Sequence, residues 1–174
     1  MTNDSEQTFE NIAKMCPELM EKSYIGDYIS VGEGWFTIIS VLCQTIYEPV
    51  RQAQYRLQAA VEYPRDDNDA YLKQCEIDIA MALEALPEIV QIKEKFGTLR
   101  FYYNGGNDRV AALVNFAEAM SGVTCEICGA PGTRDDIGWI KTHCVAHRRK
   151  STVEEDIEEG TVSAKIEDDD PSAR

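Results

Sequence analysis

Long apolar runs are missing from this chain of 174 residues, and so are the glycine loops that usually mark nucleotide chemistry. No stretch reaches the roughly 18 apolar residues that a membrane-spanning helix needs. The start, from Met1 to Glu10, is polar and acidic, unlike a secretory signal. Neither a Walker loop nor a dinucleotide-binding loop is present. We therefore expect a cytoplasmic protein that is not attached to a membrane.

Basic residues are also scarce, with 17 Lys and Arg against 31 Asp and Glu and a net charge of −14. This balance excludes a globally basic nucleic-acid binder, because phosphate binding needs a surplus of Lys and Arg. Half of the net charge comes from residues 153–174, which contain nine acidic residues and two basic residues, Lys165 and Arg174. We interpret residues 151–174 as a disordered, solvated acidic tail.

Three of the six cysteines and one of the two histidines form a C-x2-C-x15-C-x2-H array. Zn²⁺ takes four thiolate or imidazole ligands in a tetrahedron, and structural sites collect them as two close pairs. With all four ligands from the protein, no position stays open for a substrate, so the array predicts one structural zinc per chain. The predicted ligands are Cys125, Cys128, Cys144 and His147.

The residues around the array favour a treble-clef or zinc-ribbon module. Gly129 permits a tight turn after the first ligand pair. We expect a turn over residues 132–138, a short strand over residues 139–141, and a helix from Cys144 onwards. His143 is expected to lie exposed at a strand end, although it is an alternative ligand.

Residues 24–34 contain three glycines and predict a loop with a short extended piece at residues 28–31. Phe96-Gly97 predicts the hinge of a β-hairpin, residues 104–107 predict a turn that caps the next helix, and Gly122 predicts the end of that helix.

Apolar spacing and turn residues predict an α+β class that is mainly helical. Pro49 is expected to end or kink a helix that opens at Trp35, a core residue. The predicted units are a helical domain 1–122 containing a helical hairpin 50–86 and an antiparallel β-hairpin 88–103, a zinc-binding module 123–150, and the tail 151–174.

Catalysis is not favoured. A catalytic triad would have to take a histidine from the zinc array, and HNH nucleases, which share such zinc knuckles, need further histidines. Paired carboxylates are too common in this chain to indicate a site. The sequence therefore leaves enzyme activity open and favours a role without catalysis.

Three segments carry a resemblance to a family. Residues 91–103 read QIKEKFGTLRFYY, residues 32–36 read GEGWF, and CEICGAPG at residues 125–132 precedes Gly138-Trp139 and the Cys144-x-x-His147 pair. Together they resemble an uncharacterised family of small phage, prophage and bacterial zinc-finger proteins, over residues 30–47 and 88–148. The resemblance implies the zinc site and an origin in a mobile element, but it implies no activity.

A looser resemblance is to the DksA/TraR regulators, which combine a Cys-x-x-Cys-Gly zinc finger with a helical hairpin. It implies that an acidic hairpin tip enters a channel of RNA polymerase, and here that tip would be Asp66, Asp67 and Asp69. The loop between the ligand pairs is shorter here, and a β-hairpin and a helix separate the hairpin from the finger.

Two kinds of partner remain open. Nucleic acid is possible through a local basic cluster, and the candidate contacts, which serve equally for a protein partner, are Arg134, Lys141, Arg148, Arg149 and Lys150. The interpretation that we favour is a zinc-stabilised interaction protein of phage type that acts stoichiometrically on a host protein of defence or transcription, as an inhibitor or adaptor.

Overall fold

The structure, a computed structural model, describes residues 3–23, 29–135 and 138–148. The tail 151–174, Arg149 and Lys150 lie outside these residues, and the predictions made for them stay predictions. In chain order the elements are α1 (Asn3–Met15), α2 (Pro17–Lys22), β1 (Ile29–Ser30), a 3-10 turn (Glu33–Trp35), α3 (Phe36–Glu62), α4 (Asn68–Glu84), β2 (Glu88–Lys95), β3 (Thr98–Asn104), α5 (Asp108–Ser121), β4 (Thr133–Asp135) and β5 (Lys141–His143).

The core lies between the first half of α3, the sheet and the helices α1, α2 and α5. Trp35 is fully buried, as the sequence predicts, and it lies with Ile39 of α3 and Ile92 and Leu99 of the sheet in one apolar cluster. Burying one side chain such as Ile39 or Leu99 stabilises a fold by about 1.5–3 kcal/mol. The predicted α+β class is confirmed.

The helix α3 runs through Pro49 without ending, so of the two predicted outcomes, a helix end or a kink, the helix end is wrong. Proline has no N–H to donate to the carbonyl of Thr45, four residues earlier. In the structure the guanidinium of Arg109, on α5, donates to that carbonyl at 2.7 Å. A long-range side chain therefore replaces the missing helix bond, which no local pattern around Pro49 indicates.

The predicted helical hairpin is present, but its first helix starts at Phe36 rather than near residue 50. We call residues 51–84, the second half of α3 with α4, the helical arm. Its buried side chains are small: Ala53, Ala60 and Cys75. Consequently the two helices approach each other closely but enclose little apolar volume.

The β-hairpin of β2 and β3 is present as predicted, with register pairs such as Ile92 with Phe101. Its turn contains Phe96 and Gly97 at φ values of 54° and 75°, the left-handed pair that matches the twist of a hairpin. A third strand, β1, pairs in parallel with β2. The sequence predicted an extended segment there but not its pairing, because parallel partners are remote in the chain.

The helix α5 begins at a predicted cap, where the side chain of Asn107 accepts from the N–H of Val110 at 3.1 Å. It ends at Gly122, as expected, and leads directly into the cysteine array. In the part of the chain that the structure describes, no helix is long and apolar enough to cross a membrane.

Candidate metal centre

The first ligand pair lies in a tight knuckle. The N–H of Gly129 donates to the carbonyl of Cys125 at 2.9 Å, and the N–H of Cys125 donates to the carbonyl of Ala130 at 2.7 Å. Gly129 has a φ of 75°, a conformation that glycine adopts without steric cost. The predicted turn is thus present, and it directs the side chains of Cys125 and Cys128 to the same side.

The second ligand pair follows a small hairpin of β4 and β5. Two strand predictions need correction here: residues 133–135 form a strand within the predicted turn, and the returning strand is Lys141–His143 rather than 139–141. After Cys144 the described chain forms a turn, in which the N–H groups of His147 and Arg148 both donate to the carbonyl of Cys144. This turn places His147 beside Cys144.

The four predicted ligands converge, since their ligand atoms all lie within 4.8 Å of one another. The Sγ atoms of Cys128 and Cys144 are 3.7 Å apart, far beyond the disulfide length of about 2.05 Å. The Nδ1 atom of His147 lies 3.5 Å from the Sγ of Cys125 and 3.3 Å from the Sγ of Cys144. These four side chains can hold a metal ion.

Backbone donors favour the thiolate form at this centre. Burial raises the pKa of the Cys125 thiol, but the N–H groups of Cys144, Cys128 and Ile127 donate to its sulfur and help to lower the pKa to about 6. The N–H of Ala130 lowers the pKa of Cys128, yet desolvation and the two neighbouring sulfurs raise it overall. The thiolate is the form of cysteine that binds a metal ion, so the lowered pKa of Cys125 suits a metal ligand.

Glycines of the segment before α3 allow the knuckle to pack against the core. The N–H of Gly34 donates to the carbonyl of Glu126 at 2.9 Å. A Cβ on Gly34 would stand 2.2 Å from the carbonyl oxygen of Cys125, and one on Gly32 would stand 2.3 Å from that of Glu126. Sequence reasoning interpreted these glycines only as a loop. The signal that could have revealed this contact is the G-x-G pattern directly before the buried tryptophan. Two such glycines allow another backbone segment to approach closely, and a cysteine knuckle needs such an approach.

Further hydrogen bonds attach the ligand-bearing segment to the rest of the molecule. The indole of Trp35 donates to the carbonyl of Thr124 at 2.8 Å, and the hydroxyl of Thr142 donates to that of Gly97 at 2.6 Å. Arg134 donates to the carbonyl of Phe96 at 2.6 Å. The segment 123–148, which we call the metal module, is therefore bonded to both the 3-10 turn before α3 and the β-hairpin.

Lys141 bridges two carboxylates instead of standing free. Its amine lies 3.1 Å from Glu94 and 2.9 Å from Glu126, and all three side chains are largely buried. Burial lowers the pKa of Lys141, but Glu126 and Glu94 raise it overall. Burial raises the pKa of Glu94, whereas the N–H of Gly97 and the amine of Lys141 lower it overall. This predicted contact residue thus has an internal structural role.

His143 is buried, so the prediction of an exposed strand-end histidine is wrong. Its Nδ1 atom lies 3.9 Å from the carboxylate of Asp135, which β4 carries opposite β5. His143 does not belong to the ligand cluster, whereas His147 does. The strand pairing of β4 with β5 covers His143, and this pairing was not predicted.

The other predicted contact residues that the structure describes are exposed. Arg134 and Arg148 are exposed on the metal module. The acidic residues Asp66, Asp67 and Asp69 are exposed at the tip of the helical arm, where α3 turns into α4.

An apolar groove between α3 and α5 was not predicted, because each helix shows an ordinary core stripe in sequence. Its volume is about 370 Å³. Val41 is 55% exposed and Phe116 is 66% exposed, so the groove is open to solvent. We call it the α3/α5 groove; it is lined by Thr37, Ile38, Val41, Leu42, Thr45, Leu113, Phe116, Ala117 and Met120.

The chemistry of the site follows from its donor set. Three sulfurs and one imidazole nitrogen surround one point, and each of the two ligand pairs has a backbone turn that fixes it. Comparison of the chain with protein-family models, with curated proteins and with solved structures gives no match.

Proposed function

We propose that this chain is a zinc-stabilised interaction protein of the phage type, which works in the cytoplasm and binds a host protein stoichiometrically as an inhibitor or adaptor. The observation that carries the proposal is the closed donor set of Cys125, Cys128, Cys144 and His147. Four protein ligands complete a tetrahedron and keep the metal from substrates, so the centre serves the fold.

Zinc fits the separations of the donor atoms. With Zn–S bonds of about 2.3 Å and a Zn–N bond of about 2.0–2.1 Å, a tetrahedron has S···S edges of about 3.8 Å and S···N edges of about 3.6 Å. The separations in the structure are 3.7 Å between Cys128 and Cys144, 3.5 Å between Cys125 and His147 and 3.3 Å between Cys144 and His147, and all four ligand atoms lie within 4.8 Å of one another. A soft donor set of three thiolates also selects against Mg²⁺ and Ca²⁺.

A protein partner is supported by the side chains that the helical arm exposes. Tyr55, Tyr63 and Met81 are 72%, 71% and 65% exposed. Tyrosine and methionine are enriched in protein interfaces, since they bury a large area and adapt to the partner. The exposed carboxylates Asp66 and Asp67 at the tip of the arm favour a partner whose contact surface is basic.

The test begins with tagged chain in nuclease-treated bacterial lysate and continues with the purified partner. We expect one partner per chain by calorimetry and at least a tenfold loss of affinity for the Tyr55→Ser/Met81→Ser variant. Val145→Ser is the matched control, because Val145 is 92% exposed on the metal module, and it should bind like the parent. The absence of any saturable macromolecular partner would contradict the proposal.

A DksA/TraR-like role is the second candidate, supported by the exposed acids at the end of a two-helix arm. It predicts that RNA polymerase is the partner and that Asp66→Asn/Asp67→Asn/Asp69→Asn abolishes its inhibition or activation in transcription assays. Recovery of a different protein, bound equally by this variant, would exclude this candidate.

Direct nucleic-acid contact has less support, because Lys141 is engaged with two carboxylates. Its remaining support is Lys93, which lies 4.9 Å from the ring centre of Tyr102 on the β-hairpin, together with the exposed Arg134 and Arg148. Binding that disappears after nuclease treatment, and that weakens steeply with salt, would favour this alternative.

A further inference from the structure

The α3/α5 groove is an unusual surface to leave uncovered, because its lining combines apolar side chains with two threonines and has no charged residue. Val41, Phe116 and Met120 are 55%, 66% and 39% exposed, although they lie next to one another on two packed helices. A contiguous apolar patch of this kind in a protein is usually a binding surface. Something is therefore expected to occupy the groove.

The C-terminal segment starts close to one end of the groove. Met120 is five residues before Cys125, and the turn bonds from Val123 to Met120 and from Thr124 to Ser121 shorten this connection. The imidazole of His147 lies 3.5 Å from the sulfur of Cys125. The chain thus reaches Arg148, its last described residue, beside the metal centre and a few residues' length from Met120.

The remaining chain is long enough to follow the whole groove. From Thr37 to Thr45 the α3 wall extends about 12 Å at 1.5 Å per residue. The 26 residues after Arg148 span up to roughly 85 Å when extended. Val153 is five residues after Arg148, so extended chain can carry it up to about 17 Å from Arg148.

The sequence of this segment suits an apolar groove. Val153 and Ile157 are four residues apart, the spacing that places two side chains on one face of a helix, and Val162 and Ile166 repeat it after Gly160. Ser151 and Glu154 form a capping pattern before the first pair. The residues between the apolar positions are mostly acidic. Among the described residues that line the groove, none has a carboxylate that would repel them.

We propose that the segment 151–166 docks into the α3/α5 groove of its own chain, with Val153 and Ile157 against the end of the groove at Met120. Tethering favours this occupant over a second copy or a free partner, because a short connection to the same chain gives an effective concentration in the millimolar range. The acidic tail is then a built-in cover for an apolar surface. The proposal does not depend on the partner of the helical arm, because it concerns a different face of the molecule.

The test is methyl NMR on the full chain, with methionine methyl groups as reporters. Met120 lines the groove, whereas Met15 and Met81 are exposed outside it and serve as internal controls. In Val153→Asp/Ile157→Asp we expect the Met120 methyl resonance to shift while those of Met15 and Met81 stay in place. The fluorescence of a dye that binds apolar surfaces should rise several-fold in the same variant.

The matched control is Thr152→Asp/Thr161→Asp, which adds the same charge to the tail at polar positions. It should leave the Met120 resonance and the dye fluorescence unchanged; an equal change in the control would overturn the proposal. An unchanged Met120 resonance in the Val153→Asp/Ile157→Asp variant would also overturn it. So would a Met120 shift that depends on protein concentration in the parent chain, because that identifies a second copy as the occupant.

Discussion

The metal module and the helical arm both bury few apolar side chains, and each is held together by different contacts. Among the described residues of the module, Cys125 is the one buried apolar side chain, and the others that are buried are polar, such as Thr142 and His143. In the arm the buried side chains are Ala53, Ala60 and Cys75. Neither region encloses a large apolar residue of the kind found around Trp35.

The module is held by contacts that run to several other elements. Its four ligands converge. Thr124 accepts a hydrogen bond from the residue that precedes α3, and Thr142 donates one to the β-hairpin. Lys141 forms ion pairs with two carboxylates. The arm has contacts mainly between its own two helices, such as the ion pair of Arg56 with Asp78 at 3.0 Å. Both side chains of that pair are at least one third exposed, so it adds little stability.

Each region therefore has a different source of stability. On the proposal of a structural zinc, the module depends on a metal that binds as it folds, so it should be lost as a unit when a ligand is lost. The arm depends on the continuity of α3 with the core, so it should open locally while the core persists. An arm that opens locally and exposes aromatic side chains is well suited to adapt to a partner.

The largest expected effect comes from Cys128→Ser. Removing one thiolate should release the metal and unfold residues 123–148, because structural zinc contributes on the order of 10 kcal/mol to such modules. Metal content, circular dichroism and amide exchange measure the outcome. Cys75→Ser in the arm is the control, and it should keep one metal per chain while the arm opens more readily. Full metal content and unchanged thermal stability in Cys128→Ser would contradict the structural role of the centre.

The second effect tests the attachment of the module to the core. Gly34→Ala adds a Cβ within 2.2 Å of the carbonyl oxygen of Cys125 and 2.5 Å of the nitrogen of Gly129, both backbone atoms that cannot move away easily. We expect a loss of about 2–3 kcal/mol and a Tm lower by roughly 5–10 °C. Gly122→Ala is the comparison, because its φ is −70° and its nearest contact would be 3.3 Å. A Tm equal to that of Gly122→Ala would show that the knuckle packs elsewhere.

The third effect is pH-dependent and comes from Lys141→Met. Two largely buried carboxylates lose their shared cation, so we expect a loss of about 2–3 kcal/mol at neutral pH. Because the folded pKa of Glu94 lies below its ordinary value of 4.5, its contribution is present above that pH and is lost as the pH falls below it. The stability difference between variant and parent should therefore narrow in urea unfolding at about pH 4. The control is Lys73→Met, an exposed change on the arm, whose free energy of unfolding should stay within about 0.5 kcal/mol of the parent's at both pH values. A stability difference between Lys141→Met and the parent that does not change with pH would refute the ion-pair explanation.

The smallest effect is expected in the arm itself. Arg56→Ala removes the exposed ion pair with Asp78 and should lower stability by less than about 1 kcal/mol. A double-mutant cycle with Asp78→Ala measures the coupling, and amide exchange shows whether the change stays within residues 51–84. A coupling energy as large as the effect of Lys141→Met would mean that the arm is as firmly tied as the module.

Local patterns predicted much of the fold. Ligand spacing identified the four converging side chains, the Asn107 cap and Gly122 marked α5, and the hinge at Phe96-Gly97 marked the β-hairpin. Each of these depends on residues close together in the chain, or on ligand chemistry that few residue types can supply.

The features that the sequence did not predict depend on long-range neighbours. Gly32 and Gly34 are needed because a knuckle 90 residues later approaches them closely. His143 is buried because β4 pairs with β5, and the α3/α5 groove exists because two separate helices meet. The domain boundaries and the partner stay predictions, since no described contact tests them.

The contact between Arg109 and the carbonyl of Thr45 also has a consequence for the order of folding. Pro49 leaves that carbonyl without its helical donor, and the replacement arrives 64 residues later in the chain. During synthesis, the carbonyl of Thr45 therefore lacks this donor until α5 has been made and has packed beside α3. The full stability of α3 across Pro49 should thus depend on the docking of α5.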